Sequence, residues 1–169
     1  MSASNRITKL IELLREAGLT GAVIRSSANI YYFTGYRGSG LLLIPLDGLP
    51  TLYVSPLYYE LAEETVHEGI QVIKLEPGSR IENVLDGLPD SVKSRLGYDS
   101  LSAEEYLKIS ERLGGSMTSI SKKIWRLRMV KEESELERIR KACEISSKCM
   151  ELASEIISAG VTEAEVKAE

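Results

Sequence analysis

The sequence predicts an α/β fold: a three-layer α/β/α arrangement on a mixed, mostly parallel sheet of about six strands, followed by a long C-terminal helix. Three observations predict it. Residues 1–119 alternate between helical apolar spacing and short β-rich runs, the pattern of helices laid on both faces of a sheet. Leu41–Pro45 and Thr51–Ser55 flank Asp47-Gly48 as the two arms of a hairpin, which makes the sheet mixed. Glu132–Ala159 contains neither proline nor glycine, so it reads as one helix of about 40 Å.

Each element has its own signal. Ile7, Leu10, Ile11 and Leu14 recur at i, i+3, i+4, i+7, and Gly18 is placed to stop that helix. Gly21–Ser26 reads as a short buried strand. Asn29–Phe33 reads as a short helical turn closed by Gly35, with some aromatic rings in the core and Asn29 tying down backbone. The two hairpin strands follow. Ser55-Pro56 places a capping serine before a proline at the first helical position, opening a helix over Leu57 to about Val66. Ile70–Leu75 is a strand. Ser79 with Glu82, and Ser102 with Glu105, have capping-box spacing and start two more helices. Arg95–Asp99 is a strand between them, and Ser116–Ile120 is a last short strand.

The long helix carries a wide stripe. Leu136, Ile139, Cys143, Ser146, Met150, Ala153 and Ile157 are spaced 3, 4, 3, 4, 3, 4, and Ala142, Cys149, Leu152 and Ile156 broaden it. A helix packed on a core is favoured over a coiled coil, because Ser146 interrupts a seam that is already short. Gly160 ends the helix, and Thr162 with Glu165 opens another barely two turns before Glu169. The chain therefore reads as a piece cut from a longer protein.

Composition narrows the function classes. The chain has 169 residues, about one domain's worth, with a net charge of −4. It lacks the basic balance of a nucleic-acid-binding protein. No apolar run reaches the length of a membrane span, and no signal-peptide core opens the sequence, so a cytoplasmic location is expected. Cys143 and Cys149 are six apart on a helix, a rise of about 9 Å, too far for a disulfide. They are expected as free, largely buried thiols. His67 is the one histidine. Beside Glu63, Glu64 and Glu68, it reads as an exposed residue at a helix end.

The aromatic and glycine-rich stretch Asn29–Gly40 invites a ligand reading. Its glycines are not a P-loop, since no Gly-Lys-Ser/Thr follows. They precede a strand instead of opening a helix, which excludes a dinucleotide fingerprint. A tight turn that needs positive φ at Gly35, Gly38 or Gly40 is favoured over a phosphate role. Asp47, Asp86, Asp90 and Asp99 are scattered, and no ligand spacing for a metal appears. On residues alone, no self-sufficient catalytic set is present.

Three motifs supply a resemblance. Asn29-Ile30-Tyr31-Tyr32-Phe33-Thr34-Gly35-Tyr36 resembles the Asn-x-x-Tyr-Leu-Thr-Gly-Phe signature of the N-terminal domain of the prolidase, aminopeptidase P and creatinase family, with Phe33 and Tyr36 as mild departures. Arg128-Met129-Val130-Lys131 followed by Glu135-Leu136 is similar to that family's linker into its catalytic domain. Here Glu132 stands where a serine is usual, which alters the helix cap. Gly160-Val161-Thr162-Glu163-Ala164-Glu165 resembles the Gly-x-Thr-Glu-x-Glu after the first catalytic-domain helix.

The resemblance implies a creatinase/prolidase-type N-terminal domain over residues 1–125. Residues 126–169 become the linker and first helix of a truncated "pita-bread" catalytic domain. It implies a metal-dependent Xaa-Pro dipeptidase or aminopeptidase, with the prolidase branch favoured. Two divalent ions (Mn, Co or Zn) would be held by residues beyond Glu169, and none by this segment, which alone is expected to be inactive. A homodimer is implied, with a proline-containing peptide as substrate. The loop Tyr36-Arg37-Gly38-Ser39 would contribute the rim of the substrate site, with Tyr36 and Arg37 facing ligand. A bidentate arginine could pair with a dipeptide carboxylate; an exposed arginine in a turn is the plain alternative. A non-catalytic interaction module, as in relatives that lost the metal site and bind partners such as histones, and an unrelated α/β small-molecule binder stay open.

Overall fold

A computed structural model of the chain describes residues 3–79, 81–114 and 117–168. The strands among them are β1 (Gly21–Ile24), β2 (Leu41–Pro45), β3 (Thr51–Val54), β4 (Gln71–Lys74), β5 (Leu96–Tyr98) and β6 (Thr118–Ser119). They form one sheet in the order β4-β3-β2-β1-β5-β6. The pairs β1–β2 and β2–β3 are antiparallel, and β3–β4, β1–β5 and β5–β6 are parallel. The strand β2 alone thus runs against the other five, and the β2–β3 hairpin has Gly48 at φ 113° in its turn.

Register explains the layers. Ala22 stands opposite Ile44, Ile24 opposite Leu42, and Leu42 opposite Leu52. These side chains share one face with Val54 and pack with α1 (Ala3–Glu16), α2 (Ser27–Thr34), α3 (Tyr59–Thr65) and α7 (Ser121–Met129). Val23, Leu41 and Leu43 point to the opposite face. There they pack with Leu85 of α4 (Ile81–Asp86) and Ile109 of α6 (Ala103–Leu113), and half-buried Val92 of α5 (Asp90–Lys93) joins them. Strand residues buried on both faces read as continuous apolar runs, as Leu41–Ile44 does.

Helix ends follow local chemistry. Gly18, at φ 62°, closes α1: its N–H reaches the Arg15 carbonyl at 3.0 Å, and Leu19 N–H reaches the Leu14 carbonyl at 2.9 Å. Leu14 and Leu19 then both enter the core, completing a Schellman motif. The Ser102–Glu105 capping box forms in full, with reciprocal bonds of 2.8 and 3.2 Å. Ser55 precedes Pro56 as expected, but its side chain caps nothing, and the segment enters α3 through a 3-10 turn at Pro56–Tyr58. The expected Ser79–Glu82 box rests on a Glu82 side chain outside the described residues. Ser116, the expected start of the last strand, lies outside them too.

The chain divides into two compact units, Met1–Val130 and Lys131–Glu169. The second holds α8 (Glu133–Ile156) and α9 (Glu163–Ala168). Glu132 takes the cap position of α8, and its N–H is accepted by Glu135 Oε2 at 3.1 Å, so a glutamate box replaces the serine cap. The Thr162–Glu165 box also forms, at 2.8 and 3.3 Å. No residue of α8 is buried. Cys143 and Cys149 are free, as expected, but exposed rather than buried: the stripe that carries them covers no core here.

Candidate functional site

The signature stretch forms α2, and its two ends are built differently. Its first turn is held from a distant strand. Asp99, just past β5, is buried, and its carboxylate accepts the Arg25 N–H at 2.7 Å, the Ser26 N–H at 3.2 Å and Asn29 Nδ2 at 2.8 Å. Those donors sit where β1 turns into α2, a place where backbone N–H groups lack helical partners. The parallel pairing of β5 with β1 is what delivers Asp99 to that turn. Asn29 Oδ1 in turn accepts Arg128 Nη1 at 2.8 Å, and Ser121 Oγ donates to the Asp99 carbonyl. Asn29 therefore ties side chains of three elements together. The expectation that it would tie down backbone is corrected by this.

Arg25 extends the same network to the other face. Its guanidinium donates to the Gly40 carbonyl at 2.8 Å and approaches Glu105 Oε1 at 3.4 Å. The backbone N–H of Ser102 holds the Glu105 carboxyl below the usual carboxylate range, partly opposed by burial, with Arg25 adding to the lowering. Both side chains stay about a third exposed, so the pair is a modest, screened one.

At the other end, α2 stops at Gly35, whose φ of 79° fits the left-handed region. Gly35 N–H bonds the Tyr31 carbonyl at 2.9 Å, and Thr34 Oγ1 both donates to Ile30 (2.7 Å) and accepts the Tyr36 N–H (3.1 Å). His67 is exposed, as expected, and lies over Gly35. A Cβ on Gly35 would come within 2.6 Å of its Nε2.

Of the two residues expected to face ligand, the structure exposes one. Tyr36 is fully buried in the core, its ring lying against Gly38, where a Cβ would stand 2.1 Å from Tyr36 Oη. Burial, and then the neighbouring Tyr58, push the Tyr36 phenol up, so it stays protonated. Its Oη has no hydrogen-bond partner among the described residues. An aromatic after a helix stop is drawn inward because the sheet offers it apolar contact. Arg37 is exposed: its guanidinium lies 5.1 Å from the Tyr31 ring centre, with Nη2 3.4 Å from Tyr31 Oη. Stacking pre-orders the planar fork while leaving most of its N–H groups toward solvent.

Sequence reasoning missed Asp99 and Arg128 as partners of Asn29. Asp99 was legible only as an aspartate at a strand's end, and nothing in its spacing points 70 residues back. Among the described residues no three His, Cys, Asp or Glu side chains gather as a metal would require. The described helices include none long and apolar enough to cross a membrane.

Comparison with known proteins gives a consistent picture. The Creatinase/Prolidase N-terminal domain family matches residues 6–130. A Xaa-Pro dipeptidase of Pyrococcus furiosus is 31% identical over 167 residues, covering 96% of this chain and 46% of that protein. An uncharacterized peptidase of Staphylococcus haemolyticus is 30% identical over 168 residues, with 47% of its length covered. The crystal structure of the prolidase from Pyrococcus horikoshii superposes with a TM-score of 0.81 at 28% identity, over 97% of this chain and 46% of that one. The chain spans about half the length of the curated relatives it matches.

Proposed function

The chain belongs to the creatinase/prolidase N-terminal domain family, and from that premise we propose that it is the N-terminal part of a metal-dependent Xaa-Pro peptidase of the prolidase kind. The observation that carries this reading is the match to the P. furiosus Xaa-Pro dipeptidase, which takes in 96% of this chain and 46% of that protein. The peptidase is a cytoplasmic homodimer that acts on proline-containing peptides. Its two divalent ions belong to the half that this chain does not span.

This domain's part is to shape the rim of the site and the dimer contact. Arg37 is the residue suited to the rim. Exposed and stacked on Tyr31, it presents a planar fork to a peptide's C-terminal carboxylate. Tyr36 acts from beneath, as a buried post under Gly38 that sets where Arg37 stands.

The test is an assay of the full-length protein and of this 169-residue chain on Xaa-Pro dipeptides with added manganese, cobalt or zinc. Turnover by the full-length protein and none by the chain alone is the expected result. In the full-length enzyme Arg37→Ala raises KM for dipeptides about 10- to 100-fold, the effect of a lost charge-assisted contact. Its folding energy changes by less than about 0.5 kcal/mol. A full-length protein inactive with every metal favours the non-catalytic interaction module instead.

A further inference from the structure

A second feature lies on the first unit, away from the Gly35–Arg37 turn. The helix α7 reads Ser-Lys-Lys-Ile-Trp-Arg-Leu-Arg-Met: four cations and no acid in nine residues, on a chain whose net charge is −4. Its apolar side is spent on the core through Ile124, while Trp125 is 62% exposed. A single exposed aromatic is ordinary on a protein surface, so it is the pocket beside Trp125 that gives it significance.

Between α2 and α7 there is an open pocket of about 330 Å³ lined by Asn29, Ser121, Lys122, Trp125 and Arg128. That volume is at the lower end for small-molecule sites. Its lining among the described residues comprises two cations, an indole and two neutral polar residues, with no carboxylate. The Asp99 carboxylate behind Asn29 accepts three donors, and Asn29 Oδ1 accepts Arg128 Nη1 at 2.8 Å. Ser121 and Lys122 are the first two residues of α7, so the helix dipole adds to the positive potential.

We propose that this pocket binds a small anion carried on a planar or apolar body, a carboxylate or a phosphate. The indole of Trp125 takes the body. The Lys122 ammonium and the Arg128 N–H groups not engaged by Asn29 take the anion, in the charge-assisted geometry that favours such pairs. The proposal is independent of the peptidase reading, since it uses no residue of the Gly35–Arg37 turn and no second half of the protein.

The molecule contains its own reporter, because Trp125 is the only tryptophan. Indole fluorescence of the 169-residue chain is followed while phenyl phosphate, benzoate, benzamide or inorganic phosphate is added. Phenyl phosphate and benzoate give saturable changes with midpoints below about 1 mM, and whichever is tighter identifies the source of the anion. Benzamide, planar but neutral, gives none, and inorganic phosphate binds more weakly for want of the stacked body. Added salt weakens the response. Lys122→Gln lowers affinity roughly ten-fold without touching the Asn29–Asp99 network. Arg128→Lys, which keeps charge but not the fork, lowers it further. No saturation with either aromatic anion, an equal response to benzamide, or affinity unchanged in Lys122→Gln would overturn the proposal.

Discussion

The helices α1 and α8 carry the same kind of apolar spacing and meet different fates. In α1, Ile7, Leu10 and Leu14 are buried, the last two completely, beneath a sheet whose Ala22, Ile44 and Leu42 face them. In α8, Ile139, Ile145, Met150 and Leu152 all remain exposed, and no residue of the helix is buried. Yet the ends of both units are equally well made: capping boxes form at α6, at α9 and, in glutamate form, at α8. The difference teaches which energies are local. A cap is satisfied by residues three apart and forms wherever the backbone is helical. Burial of a stripe, worth about 1.5–3 kcal/mol for each large side chain, needs a second surface. Periodicity therefore fixes the face of a helix without saying what covers it.

The sharpest way to break the comparison is at the long-range polar node of the first unit. Asp99→Ala leaves two backbone N–H groups and the Asn29 amide without their acceptor. It should cost about 3–5 kcal/mol in urea unfolding, because each donor left without an acceptor costs about 1–3 kcal/mol where it is buried. A cost below about 1 kcal/mol would mean that the strand-to-helix turn is held by other contacts.

Next in size is the direct contrast of stripes. Leu10→Ala should destabilise by about 3 kcal/mol, because it empties a fully buried site. Ile139→Ala in the same chain should change stability by less than about 0.5 kcal/mol. Equal costs, measured in parallel denaturant titrations, would show that α8 is covered in solution.

A smaller effect probes the turn that presents Arg37. Gly38→Ala forces a Cβ against the buried Tyr36 ring and should cost about 1–3 kcal/mol. Tyr36→Phe alone should be within about 0.5 kcal/mol of neutral, since the hydroxyl it removes has no partner among the described residues. It should not rescue Gly38→Ala, because Tyr36 Cζ lies 2.2 Å from the same point. Rescue in the double variant would place the clash at the hydroxyl instead of the ring.

The smallest expected effect is electrostatic. Glu105 has its carboxyl lowered in the folded state, chiefly by the Ser102 N–H, from an ordinary value of 4.5. A depressed folded value stabilises above the unfolded value, and that contribution disappears as pH falls from 4.5 through the lowered one. Glu105→Gln should therefore cost about 0.5 kcal/mol at neutral pH and nothing in acid, seen as converging midpoints of the two proteins. Parallel midpoints at all pH values would show that the box works by hydrogen bonding alone.

Much of the candidate site was legible in the residues. Gly35 closing α2, the hairpin around Asp47-Gly48, the box at Ser102 and the family signature were all readable, because each depends on positions within a few residues of one another. Tyr36 and Arg37 were readable as a pair but not as an inward and an outward residue. Which of two neighbours in an irregular turn meets the core depends on the sheet beneath it, here on the space beside Gly38.

By itself the sequence determined the six strands in order, the helices α1, α2, α6 and α8, the Gly18 and Gly35 stops, the Ser102 and Thr162 boxes and the mixed character of the sheet, but not the short helix α5, the helix α7 or the failure of Ser55 to cap. Those are consequences of short-range sterics, hydrogen bonding and apolar period, whereas the family was legible only through the resemblance of three motifs. Only the tertiary structure decided that Asp99 would serve α2 from the neighbouring strand's end, that Asn29 would link it to Arg128, that Tyr36 would be buried, and that Cys143 and Cys149 would lie open. Each of these turns on which surfaces meet. Contacts between residues 70 or 99 positions apart leave no periodic trace in a single chain, since the fold, and not the spacing, brings them together.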